Sequence, residues 1–411
     1  MNGIAPARVP TAFLPHWGTH VTGVRFWPGA QPNPDELVER LQDGGSARVF
    51  GLRRIGKSSL IAETRDRLIT NHSRLVLWID LQKQANVAGV LKQILGGITN
   101  DHQGVAGKFM SWFETTSSIP KGVKARTKAM LESKLDAAGA SDVDAYAEAM
   151  FEQIGTIFAA MDPVDRPILI FDELPFLIMN AIEGATDKNK GEVVARLNRF
   201  LALLRHWRSA EVGIAMTISG SFAMTWLGRE HGIKDEHIND CTPIHIDEMS
   251  HPEARAMVEA MAAHCSLPGW TTDSADALLD LVPACYPGVI QFAFDALRYK
   301  SSVSAADIRD RHCDAVERGI EDTYHSQFIT RFNRYSAEER HAASALFDAL
   351  NGAPDHTIDH KTALARLQSR IDEKRTEDLL RFLDGDGFVI ATRKRGVRFA
   401  SGLAEAWHCE G

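Results

Sequence analysis

Residues 51–58 read Gly51-Leu52-Arg53-Arg54-Ile55-Gly56-Lys57-Ser58 and satisfy G-x-x-x-x-G-K-[ST] at every position. Each part of that pattern answers a physical need. The glycines let backbone N–H groups turn inward around an anion. A helix starting at Lys57 points its positive dipole end at the same anion. Lys57 supplies a point charge for phosphate oxygens, and the Ser58 hydroxyl suits Mg²⁺. The pattern is convincing only between a strand and a helix. Here Arg48-Val49-Phe50 reads as a short strand, and a helix is predicted from Lys57 to Ile69. Gly51, Arg54, Ile55, Gly56, Lys57, Ser58 and Ser59 are therefore the candidate nucleotide-binding residues. The competing reading is a Gly-rich surface turn.

A sheet to carry this loop is also legible. Leu75–Asp80, Pro167–Asp172 and Gly213–Ser219 are continuous apolar runs, as in strands buried on both faces, and Thr242–Ile246 is a weaker fourth. Between them, Val193, Leu197, Phe200, Leu201 and Leu204 fall on one helical stripe. Strands alternating with helices predict an α/β fold with a mostly parallel sheet covered on both sides. Asp172 and Glu173 end the second run. Asp172 is the candidate Mg²⁺-shell ligand, and Glu173 the candidate base for an attacking water. Their bland alternative is a helix-capping pair. Ser221, and after it Ser219, are candidates to sense a γ-phosphate, because an additional-strand P-loop sheet brings the end of this strand beside it. The alternative there is a Ser-Gly-Ser turn. Arg229 is a candidate arginine finger or a plain surface arginine.

The rest of the chain divides by pattern. Residues 1–32 read as an irregular N-terminal arm, and 33–249 as the P-loop core. A helical insertion at 100–160 ends in a helix burying Val143, Met150, Ile154 and Phe158. Its basic residues Lys121, Lys124, Arg126, Lys128 and Lys134 read as a solvated face rather than a nucleic-acid contact. Helices at 251–264, 273–282, 288–299 and 304–320 form a small helical lid, 250–324. Residues 325–411 carry three helices (337–350, 360–369, 374–384) and two strands, the order of a winged helix-turn-helix.

A net charge of −8 argues against a surface wholly devoted to nucleic acid. Five scattered cysteines, none at CxxC spacing, signal neither a zinc knuckle nor a redox pair. They suit a reducing compartment. No signal peptide is read, and no apolar run approaches the ~20 residues of a membrane helix. A cytoplasmic location without membrane partners is the expectation.

Gly51-Leu-Arg-Arg-Ile-Gly-Lys-Ser-Ser-Leu60, Phe171-Asp-Glu-Leu-Pro-Phe-Leu177 and Ile218-Ser-Gly-Ser221 resemble bacterial and archaeal ATPases related to the STAND and origin-recognition-type AAA+ groups. Tyr286-Pro287-Gly288-Val289-Ile290-Gln291 resembles their lid motif, where a proline such as Pro287 lies near the nucleotide. Leu380–Val389 with Arg398-Phe399 resembles their winged-helix ending. The resemblance implies an ATPase core, a lid, ATP bound between them, and a switch that assembles with itself or with a protein partner.

Two outputs remain open on the residues. Arg393, Lys394, Arg395 and Arg398 on the wing, with Lys374, Arg375 and Arg381, are able to grip DNA phosphates. Asp372, Glu373, Glu377 and Asp378 offset them, as suits a protein adaptor. Asp355, His356, Asp359 and His360 have a zinc-ligand look, against which stands a polar loop capping the next helix.

Overall fold

The structure is a computed structural model that describes residues 26–27, 32–99, 151–152, 154–156, 158–222 and 224–410. The expected N-terminal arm and most of the 100–160 insertion, with its basic residues, Val143 and Met150, lie outside the described residues. The chain forms two compact units. One comprises Pro34–Phe50 and Thr64–Ile244; the other comprises Gly51–Glu63 and His245–Gly411 with the described residues ahead of Pro34.

The first unit is built on a five-stranded parallel sheet. Its strands are β1 (Ala47–Phe50), β2 (Val76–Asp80), β3 (Ile168–Asp172), β4 (Met216–Gly220) and β5 (Thr242–Pro243), in the spatial order β2-β3-β4-β1-β5. β4 thus lies between the strand that leads to the P-loop and the strand that ends in Asp172, the additional-strand arrangement expected from sequence. Ile168, Leu169, Ile170 and Phe171 are completely buried. Each such side chain contributes about 1.5–3 kcal/mol by leaving water. That is why the run shows no polar alternation.

Helices α1 (Pro34–Gln42), α2 (Lys57–His72), α3 (Val87–Thr99), α4 (Leu174–Glu183), α5 (Lys190–Arg208) and α6 (Met224–His231) are the further α-helices up to β5 among the described residues, beside a helical stretch between 151 and 159. α2 spans both units. On α5 the predicted stripe is the one that packs: Leu197, Phe200, Leu201 and Leu204 are buried and Val193 flanks them. Ile154 and Phe158 join the same core, and Phe158 meets Trp207 edge-on at 5.7 Å between ring centres. The weak fourth run shortens to a two-residue strand, β5, which continues only as the Ile244 N–H bond to the Arg48 carbonyl, 2.8 Å.

The second unit is mainly helical. α7 (His251–Cys265) and α8 (Thr272–Leu279) start on capping boxes, Ser250 with Glu253 and Thr271 with Ser274. Each cap contributes about 1 kcal/mol. α9 (Pro287–Asp295) starts on Pro287, whose missing N–H is no loss in a first turn. One helical run then extends from Ala305 to Phe332, carrying two π-turns, Ile308–His312 and Glu321–His325. Its α-helical parts include α10 (Cys313–Ile320) and α11 (Ser326–Phe332). The π-turns and α11 had no signature in the residue pattern.

The C-terminal elements are α12 (Ala337–Asn351), α13 (His360–Gln368) and α14 (Glu373–Gly385), followed by β7 (Val389–Thr392) and β8 (Gly396–Phe399). The expected two-stranded ribbon is three-stranded, because β6 (Thr357–Ile358) adds to β8 antiparallel, in the order β6-β8-β7. A closing helix, α15 (Gly402–Glu410), was not foreseen; its Trp407 ring lies 5.2 Å from Phe388.

Candidate functional site

β1 runs straight into Gly51, and its last residue, Phe50, pairs with Gly220 of β4. β3 and β4 run side by side with Phe171 opposite Ile218. Within the sheet unit, the carboxyl ends of β3 and β4 therefore bring the Asp172–Glu173 pair beside the Ser219–Ser221 segment. Gly220 is required at the tip of β4, since a Cβ there would approach Pro175 and Phe50 to 2.6–2.7 Å.

In the sheet unit the candidate residues touch. The Ser219 hydroxyl donates to the Asp172 carboxylate, and the Glu173 N–H points at the same hydroxyl, 3.4 Å away. Glu173 Oε2 accepts from the Ser221 N–H at 2.9 Å and from the Ser221 hydroxyl at 3.0 Å. Glu173 also sits in the left-handed region, φ 60°, at the start of α4. A non-glycine residue pays about 1–3 kcal/mol for such a conformation. Two hydrogen bonds to a charged acceptor, about 1.5–3 kcal/mol each, are large enough to offset it. Glu173 is thus the residue before the helix, as the capping alternative supposed, yet its side chain makes no cap hydrogen bond and reaches Ser221, just past β4, instead. Both serines are buried. Ser219, second choice from sequence, is the one on Asp172, while Ser221 is the one on Glu173.

Arg229 lies in the last turn of α6, where its guanidinium pairs with Glu230 at 3.3 Å.

In the other unit, the P-loop backbone turns with Arg54 at φ 66° and Gly56 at φ 118°. Only glycine takes the second of these freely. Lys57 is buried and its Nζ donates to the carbonyls of Leu52, 2.6 Å, and Gly51, 3.3 Å. Its ammonium is thereby folded back along the loop it serves. Ile55 is buried as well, and its Cδ1 lies 3.0 Å from where a Cβ on residue 51 would stand.

Three contacts on this loop were missed from sequence. The Tyr324 hydroxyl donates to the Arg54 carbonyl at 3.2 Å. Gln327 accepts the Arg53 N–H at 2.8 Å, and its Nε2 lies 3.5 Å from the Arg53 carbonyl. Gly288, next to Pro287, lies so close that a Cβ would stand 1.7 Å from the Arg54 carbonyl oxygen. The three-residue spacing of Tyr324 and Gln327 puts them on one helix face, but nothing in the residues names the loop as their target.

The metal look of residues 355–360 resolves into capping. Asp359 accepts the Thr362 N–H at 3.0 Å and starts α13, and His356 Nδ1 lies 3.3 Å from Glu405. No group of His, Cys, Asp and Glu suited to a metal ion occurs among the described residues. On the C-terminal domain, Arg375 of α14 pairs with Glu338 at 2.8 Å and Arg381 with Asp378 at 3.1 Å. Arg393, Lys394 and Arg395 are exposed in the β7–β8 turn and have no carboxylate partner among the described residues.

No family model and no curated protein matches the chain. Solved structures do. The Walker-type ATPase PABY2304 of Pyrococcus abyssi is 15% identical, with 96% of this chain and 99% of that chain covered at a TM-score of 0.57. The ORC2 protein of Aeropyrum pernix, in ADPNP–ADP complexes, is 14% identical over 92% of each chain at 0.44. The replication initiator DnaA bound to AMPPCP and single-stranded DNA is 11% identical, with 85% of this chain and 86% of that chain covered, at 0.35. The chain shares the fold of the first; no helix among its described residues is long and apolar enough to cross a membrane.

Proposed function

We propose that the chain is an Mg²⁺-dependent, ATP-binding and ATP-hydrolysing switch of the AAA+/STAND type, working in the cytoplasm and controlling its own assembly or the binding of a protein partner. The observation that carries this is the strand order β2-β3-β4-β1-β5, with the P-loop after β1, Asp172–Glu173 after β3 and Ser219–Ser221 after β4. Likeness to a Walker-type ATPase over nearly the whole of both chains supports it. The division is 33–249 for the core, 250–324 for the lid and 325–411 for a winged helix.

In this reading the loop amides of residues 51 to 59 bind the phosphates, and Lys57 leaves its carbonyl partners for the β/γ oxygens. The Ser58 hydroxyl and the Asp172 carboxylate are oxygen donors of the kind a hard divalent cation takes. A Mg²⁺ held by them would neutralise phosphate charge. Glu173 orients and deprotonates water, and Ser221 fixes that carboxylate while sensing the γ-phosphate. Pro287 flanks the nucleotide from the lid, and Arg229, released from Glu230, is the candidate arginine finger.

A second reading, an ATP-gated DNA-binding regulator, has its own support. The wing cations Arg393, Lys394 and Arg395 are exposed and, among the described residues, unmatched by carboxylates, whereas Arg375 and Arg381 of α14 are already paired. Phosphate binding would then fall on the wing turn.

The ATPase rate of the purified chain, measured with and without duplex DNA beside Glu173→Gln, separates the two. A Glu173-dependent rate indifferent to DNA supports the assembly switch. Stimulation by DNA that vanishes in the variant supports the regulator. No Glu173-dependent hydrolysis under either condition rejects both.

A further inference from the structure

One short helical stretch holds the P-loop at one end and the C-terminal domain at the other. Tyr324 and Gln327 bond to Arg54 and Arg53. The next residues of the same face serve the opposite body. Phe328 stacks on Trp407 at 5.6 Å and lies 5.5 Å from Phe388. Phe332 meets the same two rings at 5.2 and 5.7 Å. The Arg331 guanidinium, buried, donates to the Asp386 carbonyl, and Tyr335 donates its hydroxyl to Asp386 Oδ2 at 2.7 Å. Asp386 and Phe388 lead directly into β7.

Spacings of three, four and seven residues put 324, 327, 328 and 331 along one side of a helix. Seven residues span roughly 10 Å at 1.5 Å each, too short a strut to bend without breaking its own bonds. The strut starts at a π-turn, Glu321–His325, a local distortion often found at functional positions. Contact with the loop is through its backbone, so the grip is independent of what the Arg53 and Arg54 side chains do. It is also selective for loop conformation. Arg54 is left-handed, which sets the direction of the carbonyl that Tyr324 binds, and Gly288 leaves that carbonyl room. A change in the peptide orientation at 53–54 must therefore either break these bonds or move the helix.

We propose that Tyr324 and Gln327 are positioning residues that couple occupancy of the P-loop to the C-terminal three-helix domain, with the helical stretch 324–332 as the rigid link. The inference rests on the nucleotide-binding reading of residues 51–58. When phosphates draw the loop amides inward, the Arg53–Arg54 segment turns, and the helix bearing Phe328, Arg331 and Phe332 carries that turn to the segment that leads into β7 and β8.

The test uses the full chain and two readouts, the Kd for Mg-ADP and hydrogen–deuterium exchange at Val389–Phe399 with and without Mg-ADP. Wild type is expected to bind Mg-ADP and to change its exchange in this segment severalfold. Tyr324→Phe combined with Gln327→Ala keeps the ring packing, so it is expected to bind Mg-ADP within about tenfold of wild type and to lose the exchange response. Gln327→Glu beside an intact Tyr324 keeps the acceptor for the Arg53 N–H and is expected to retain it. A double variant that binds Mg-ADP and responds as wild type overturns the coupling, as does a wild type that binds Mg-ADP with no change at Val389–Phe399. Either result leaves the nucleotide reading intact. A wild type that binds no Mg-ADP rejects that reading and the coupling together.

Discussion

Ser221 holds the carboxylate of Glu173 twice, through its backbone N–H at 2.9 Å and its hydroxyl at 3.0 Å. The two residues follow different strands, β3 and β4, and the bond fixes a glutamate whose own backbone is strained. Removing the carboxylate with Glu173→Gln is expected to cut ATP hydrolysis by roughly 10²–10⁴, the usual share of a general base, with ATP still bound. Ser221→Ala keeps the N–H bond and loses only the hydroxyl, so kcat should fall about tenfold or more while KM changes little. Steady-state kinetics check both; a Ser221→Ala kcat at the wild-type level would remove Ser221 from the site.

Lys57→Ala tests the loop. The ammonium now bonds two loop carbonyls, so its loss leaves the fold standing but removes the charge meant for phosphate. At 100-fold over Kd a bound nucleotide stabilises by about 2.7 kcal/mol. For bodies of this size that raises Tm by roughly 5–10 °C in wild type, and the rise should vanish in the variant. Thermal melts with Mg-ATP decide the matter, and an equal rise in both proteins would reject the assignment.

Acid should weaken the sheet unit through two histidines. Burial, reinforced by the charge of Lys190, pushes His231 below the ordinary histidine range, and burial does the same to His237. A lowered folded value means the unfolded chain takes its proton first. Stability is therefore flat above about pH 6.5 and falls as pH drops through that value toward the lower folded ones. His231 meets Trp226 edge-on at 5.5 Å, so His231→Phe keeps an aromatic ring there and removes the titration. Melts between pH 7.5 and 5.5 should show a smaller loss of Tm in the variant, and an identical loss would show that His231 contributes nothing to it.

The wing turn gives the DNA reading a sharp consequence. Replacing Arg393, Lys394 and Arg395 together by alanine should weaken duplex binding uniformly across sequences and reduce the slope of log K against log salt by about three units, one per cation. Binding titrations over a range of salt measure this. An unchanged slope would place any DNA contact elsewhere and favour the protein-partner switch.

Much of this molecule is local chemistry. The loop at 51–58, the buried run ending in Asp172–Glu173 and the stripe on α5 are legible because each depends on neighbours within a few residues: a glycine where φ must be positive, an apolar run where both faces are covered, a 3.6-residue period where one face is. The helix starts at Ser250 and Asp359 are legible for the same reason, and the second of them explains away a metal-like cluster. What only the tertiary structure decided is which distant groups meet. Sequence spacing names Glu173 and Ser221 as candidates, but parallel pairing of β3 with β4 makes them partners. Tyr324 and Gln327 reach a loop 270 residues away, and β6 joins β8 across two helices. Such contacts depend on how chain segments far apart in sequence pack, and the residues on either side carry no local mark of it.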